Sequence, residues 1–235
     1  MPRPVLLNNV DHKDLRVDAV THSAAMGDGL MLALTFPGEF RSVQAYYPIV
    51  FHKGADGAFQ PVALFGLRES QNLFLDDDRW DASYIPLAVA RQPFLIGMAD
   101  GEPVIHIDLD SPRVGRVVGE PLFREHGGTS EFLERVNSML LALHEGVRAT
   151  PAFIDALLQH ALLETFVLDI ELDRGEQFRL GGFYTIHEER LRALDAAALA
   201  TLNAAGHLEA IYMAIASLAH LRDLIDRMNR HDAAR

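Results

Sequence analysis

The chain has 235 residues, no cysteine, 33 acidic against 21 basic side chains and a net charge of -12. Without cysteine there is no disulfide, thiolate metal site or Cys nucleophile, and the composition fits a reducing cytosol. An acidic chain without a Lys/Arg block suits neither nucleic acid nor an anionic membrane surface, and no run reaches the ~18 apolar residues of a membrane span. Met1 to Asn9 carry no apolar segment of the secretory kind, so the expected location is the cytoplasm.

From about Leu30 to Leu109, short apolar and aromatic runs alternate with turn residues, the pattern of an antiparallel sheet. The predicted strands are Leu30 to Phe36, Val43 to Phe51, Pro61 to Gly66, Asn72 to Leu75, Phe94 to Met98 and Val104 to Leu109. Pro37-Gly38, Gly54-Ala55-Asp56-Gly57 and Ala99-Asp100-Gly101 supply the connections, and Asp76-Asp77-Asp78 reads as a solvated acidic turn. Ser111 to Gly128, with its prolines and glycines, is the expected hinge.

After Thr129 the period becomes helical. Phe132, Leu133, Val136, Met139, Leu140 and Leu143 share a face that Gly146 should end, and Thr150-Pro151 should start a second helix to about Leu162. Phe166 to Leu172 and Phe178 to Thr185 alternate around Asp173-Arg174-Gly175-Glu176 as a β-hairpin. A short helix over Glu188 to Leu194, one capped by Asp195 and ending at Gly206, and a long last helix complete the chain. In that last helix Leu208, Ile211, Ile215, Leu218, Leu221, Ile225 and Met228 make one stripe, which covers the sheet, a neighbouring helix or the partner in a homodimer. The expectation is a single α+β domain over 1–235. It has a β-rich part over about 1–110, a hinge over about 111–128, and a part over about 129–235 holding a helical hairpin, a β-hairpin and C-terminal helices.

The residues hardest to assign to generic packing lie between Glu39 and Phe94. They run Glu39-Phe40, Tyr46-Tyr47-Pro48-Ile49-Val50-Phe51, Leu64-Phe65-Gly66-Leu67, Gln71-Asn72-Leu73-Phe74-Leu75, Trp80, Tyr84-Ile85-Pro86 and Arg91-Gln92-Pro93-Phe94. With Gly182-Phe183-Tyr184, Glu189-Arg190-Leu191 and Gly206-His207-Leu208-Glu209-Ala210-Ile211-Tyr212, this ordered set resembles the SapC family over most of the chain. Gln92 stands where the family pattern has tyrosine. The resemblance implies a bacterial protein with a surface-layer association, encoded near surface transport receptors and cupin-like or halogenase-like enzymes, and it brings no catalytic mechanism.

Two chemical readings follow from the residues. Tyr46, Tyr47, Trp80, Tyr84, Arg91 and Phe94 can line a groove for a peptide, protein or ring-containing ligand, with Asn72 offering donor and acceptor together. The same rings can instead pack as core, with Arg91 paired to Glu39. The second reading starts at His106-Ile107-Asp108, whose alternation on a strand sets His106 and Asp108 side by side like two ligands of an Fe(II) centre. A third ligand would be His187 or His126, and Arg190 or Arg192 would hold 2-oxoglutarate. Gly127-Gly128 lacks the spacing and lysine of a phosphate loop, and no Gly-x-Ser-x-Gly elbow occurs. The preferred expectation is a non-enzymatic accessory or interaction protein without a cofactor; the alternative is a cupin-like Fe(II)/2-oxo-acid oxygenase or an accessory to one.

Overall fold

In the computed structural model of the chain, residues 3–99 and 101–233 are described, so Asp100 of the expected Ala99-Asp100-Gly101 turn lies outside the described residues. The strands are β1 Pro4–Leu6, β2 Arg16–Val17, β3 Leu32–Leu34, β4 Ile49–Lys53, β5 Phe59–Leu64, β6 Leu75–Asp76 and β7 Arg79–Trp80. They continue as β8 Phe94–Ala99, β9 Glu102–Asp108, β10 Val114–Gly115, β11 Glu120–Pro121, β12 Leu163–Glu171 and β13 Gln177–Ile186. The helices are α1 Phe40–Val43, α2 Leu87–Ala90, α3 Glu131–Gln159, α4 Glu188–Arg192, α5 Ala196–Ala204, α6 His207–Ser217 and α7 His220–Ala233. Every strand pair is antiparallel and the fold is α+β.

These elements gather into two compact units. The first comprises Met1–Gly29, Leu75–Asp81 and Leu87–Glu145; the second comprises Leu30–Phe74, Ala82–Pro86 and Gly146–Arg235. The predicted hinge Ser111 to Gly128 lies within the first unit, where β10 and β11 pair with the two sides of β2. The strands expected in one sheet are divided as well: β8 and β9 join β1, whereas β3, β4 and β5 join the long hairpin. The separation begins after β5, where the Leu73 N–H returns to the Phe65 carbonyl at 2.8 Å and folds the chain back on itself. Asn72 Oδ1 accepts from the Phe74 N–H at 3.0 Å, and this local turn replaces the expected strand Asn72 to Leu75, of which only β6 remains.

In the first unit Phe94 and Ile107, on one face of the β1-β9-β8 sheet, pack with Leu15, Val17, Leu122 and the α3 residues Leu133, Val136 and Leu140. Ser130 starts α3 by accepting the Leu133 N–H at 3.1 Å. In the second unit the sheet order is β12-β13-β4-β5-β3. Phe51 and Phe40 meet Phe153 at ring separations of 6.3 and 5.9 Å, and α6 packs on α1, β4 and β13. The stripe of the last segment is thus taken up inside its own unit at Ile211, Leu224 and Met228, all fully buried.

Two helix expectations are corrected. The predicted helical hairpin is one continuous α3 of 29 residues. Gly146 is there for space: a Cβ on it would fall inside the Phe36 ring. Pro151 is tolerated because the preceding residues 147–149 face water, which can hydrate the carbonyl that lost its donor. Thr150, expected as a cap, donates its hydroxyl to the Gly146 carbonyl at 2.8 Å. The long last helix, conversely, is two. Leu218, Ala219 and Leu221 bond carbonyls three residues back. Ser217, fully buried, bonds the Ile49 N–H at 2.8 Å and the Ala214 carbonyl at 2.6 Å.

Candidate functional site

The pairing of the long hairpin is interrupted at a pair of glycines. Register passes from Phe166↔Phe183 to Leu168↔Leu180, so β13 carries one extra residue at Gly181-Gly182, a bulge with Gly182 at φ 85°. Only Phe183 and Tyr184 of β13 pair with β4, opposite His52 and Phe51. From Gln177 to Gly182, β13 has β12 on one side and, among the described residues, no strand on the other.

Beside this open edge lies a cleft of about 640 Å³ within the second unit, between the bulged strand and the loop Leu67-Arg68-Glu69-Ser70. Half-buried Met31 and Leu32 give it apolar surface over the buried Leu67, Leu180 and Phe183, and His52, Arg68 and Arg179 give it donors. Arg179 is held by the neighbouring strand: Nε and Nη2 donate to the two carboxylate oxygens of Asp169 at 2.6 and 3.3 Å. That hydrogen bond, with the attraction of the charges, holds the Asp169 carboxyl below the usual range and raises Arg179 above its own. Arg68 donates from Nη2 to Glu176 at 2.6 Å and lies 5.1 Å over the Phe178 ring. Both guanidinium groups are therefore oriented by carboxylates outside the cleft lining and keep further N–H groups for an acceptor.

The ring set singled out from the sequence is divided between the units. Tyr46, Tyr47, Asn72 and Tyr84 belong to the second, and Trp80, Arg91 and Phe94 to the first. Tyr47 and Phe94 are 0% exposed and Trp80 8%, so the two fully enclosed rings offer no surface to a ligand. Tyr47 stacks edge-on to Phe74 and Phe65 at 4.7 and 5.2 Å, while Phe94 belongs to the first unit's core. Tyr84 donates its hydroxyl at 2.9 Å to the buried carboxylate of Glu39, which also accepts from the Thr35 hydroxyl at 2.7 Å. Burial and that nearby negative charge push the Tyr84 phenol well above its ordinary value. Arg91 donates from Nη1 to the Phe94 carbonyl at 2.6 Å, and burial lowers its pKa.

His106 and Asp108 share one face of β9, as the alternation requires. The imidazole lies against Gly97, and Asp108 Oδ1 accepts the N–H groups of Arg3 and Asp110 at 2.7 and 3.2 Å. His187 belongs to the second unit, where it precedes α4 with Nδ1 3.8 Å from Glu164, and His126 is in an exposed turn of the first. Arg190 and Arg192 are exposed on α4. Among the described residues no group of three or more His, Asp and Glu side chains is placed to hold a metal ion.

A family model described as SapC matches residues 7–224. The chain belongs to the SapC family. No curated protein and no solved structure matches it. In this SapC chain the matched segment contains the whole cleft, most of both units' cores and the aromatic stretch between Glu39 and Phe94. Among the described residues no helix is long and apolar enough to cross a membrane. The cleft itself was missed from the sequence. Its one signal was Gly181-Gly182 inside a strand with clean alternation, where paired glycines mark a bulge or a close approach to backbone.

Proposed function

We propose that this SapC-family chain is a non-enzymatic interaction protein that holds its ligand in the cleft between the bulge of β13 and the loop after β5. The observation that carries the reading is the makeup of that cleft: partly exposed Met31 and Leu32 beside two guanidinium groups already oriented by Asp169 and Glu176. Apolar area of this kind supplies affinity, and fixed donors supply orientation. The reading places the binding role in the cleft because two rings of the aromatic set are enclosed. We assign the protein to the cytoplasm on its cysteine-free composition, as an accessory to the surface system the family name suggests.

The test is a ligand-observed NMR screen of small fragments and short peptides against the full-length protein and Gly181→Val. Gly181 lines the cleft, and a Cβ there meets nothing within 4 Å, so the added side chain projects into free space without disturbing the fold. Binders lost in Gly181→Val support the cleft. If every binder is retained by the variant, the cleft reading is wrong.

A further inference from the structure

Resting on the cleft as the binding site, we propose that its ligand is an extended acidic peptide, which adds as a strand to β13 at residues 179–182 and sets a carboxylate on Arg179. Three observations converge on this chemistry.

The first is the backbone. A strand edge presents N–H and C=O groups at the spacing of another strand, and extended peptides bind such edges by main-chain hydrogen bonds. Beyond its two pairs with β4, β13 has its second edge open from Gln177 to Gly182, and this segment borders the cleft. At Gly181 and Gly182 there is no side chain and an added Cβ would meet no atom within 4 Å, so the face of the strand there is open to the side chains of a ligand strand.

The second is charge. The whole chain carries -12, yet the cleft lining has two arginines against the single carboxylate of Glu69. Both arginines are paired with a carboxylate just outside the lining, so the preference comes from their remaining N–H groups, which can only donate and therefore take a carboxylate and not an ammonium group. Asp169 takes Nε and Nη2 of Arg179, so Nη1 is left to donate. The pair is solvent-exposed, at 69% and 72% of the two side chains, so a ligand carboxylate can share the guanidinium or displace Asp169 at small cost.

The third is size and lining. About 640 Å³ lies within the range of small-ligand sites, and an extended chain advances ~3.3 Å per residue, so the cleft suits a few residues of strand and not a folded domain. Apolar side chains of such a strand would meet Met31 and Leu32, and its acidic ones the arginines.

The experiment is a fluorescence-anisotropy titration of the full-length protein with three labelled nonapeptides: alternating Val and Glu, alternating Val and Lys, and the Val/Glu peptide with alternate backbone nitrogens methylated. The Val/Glu peptide should bind, weaken with added salt, and protect the Gly181 and Gly182 amides from hydrogen exchange. Its affinity should fall about tenfold in Arg179→Gln, the loss of one charge-assisted hydrogen bond. It should hold or rise in Asp169→Asn, which removes the competing negative charge; a merely structural role for that ion pair predicts a fall. Equal binding of the Lys peptide overturns the acidic class, and equal binding of the methylated peptide overturns strand addition. Either result leaves the cleft reading standing if Gly181→Val still abolishes binding. If no peptide binds but fragments still bind in a Gly181-dependent way, the peptide proposal falls alone. Val/Glu binding unaffected by Gly181→Val overturns both.

Discussion

Arg113 and Arg179 each bind an aspartate, and the two pairs have opposite consequences. In the first unit Arg113 donates from Nη2 to Asp28 at 2.5 Å with side-chain exposures of 3% and 0%, and its Nη1 reaches the carbonyls of Asp18 and Thr21 at 3.2 and 2.9 Å. Asp28 also meets His22 Nδ1 at 3.1 Å, and His22 lies edge-on to Trp80 at 5.8 Å. One guanidinium thus ties β10 to the loop that follows β2. In the second unit Arg179 and Asp169 are exposed and bridge two strands already joined by their own backbone. A buried pair resists removal of either member because the other is left charged in a poor solvent, whereas an exposed pair is screened and can exchange partners. The first arrangement organises structure; the second is open to a ligand.

The sharpest way to break that comparison is Asp28→Ala. It should destabilise the first unit by about 3–5 kcal/mol, the usual cost of leaving one member of a buried pair behind. Hydrogen exchange of the 18–28 loop and of β10 reads the loss locally, where a global denaturant curve could merge two units. A matched replacement, Asp28→Leu with Arg113→Met, should recover most of it. If Asp28→Ala changes nothing, the buried pair is not what holds the loop.

How far the sequence revealed these regions follows the same physics. The β12–β13 hairpin was legible because both strands alternate outside the bulge and a turn sequence separates them, and Asp195 was legible as a cap that accepts the Ala198 N–H at 2.8 Å. The α+β class followed from the change of period near Thr129. The continuity of α3 was not legible, because Gly146 and Pro151 are ordinary stop and start signals until Phe36 is known to pack on the glycine. Nor was the division of the aromatic set, since a tyrosine that closes a core and one that lines a groove have the same composition. Arg113 lies 85 residues from Asp28, and no spacing joins it to Asp28 and His22.

Gly146→Ala tests the packing account of α3. Helix propensity alone favours alanine by about 0.8–1.0 kcal/mol. The Cβ would overlap Phe36, and forced overpacking costs about 1–3 kcal/mol, so the net should be a loss of stability. Gly146→Ala with Phe36→Leu should restore it. A more stable Gly146→Ala protein would sink the packing argument.

Tyr84→Phe probes the buried carboxylate of the second unit. Glu39 would lose the Tyr84 hydroxyl donor, at a cost of about 1–3 kcal/mol in a denaturant titration. The pH signature is separate. Because the folded phenol is raised above its ordinary 10.0, the protonated form is favoured by folding. Its stabilising contribution is full below pH 10.0 and is lost as the pH rises from there toward the folded value. An ultraviolet titration should therefore lose a late-ionising component in Tyr84→Phe relative to wild type.

Asp169→Ala completes the contrast with Asp28→Ala, and its expected structural effect is the smallest. The pair is exposed and β12 and β13 stay joined by their ladder, so the unfolding midpoint should stay where it is in wild type. What should change is the guanidinium: without its partner, Arg179 loses the hydrogen bond that raised it and becomes more mobile, which arginine-side-chain NMR can follow through the Nε–H resonance. Two aspartate-to-alanine changes on two Asp–Arg pairs would then give unequal stability losses, and the ratio measures how far burial separates them. If Asp169→Ala destabilised its unit as much as Asp28→Ala does its own, the Arg179 pair would be a structural clamp, and its guanidinium would not be available to a ligand carboxylate.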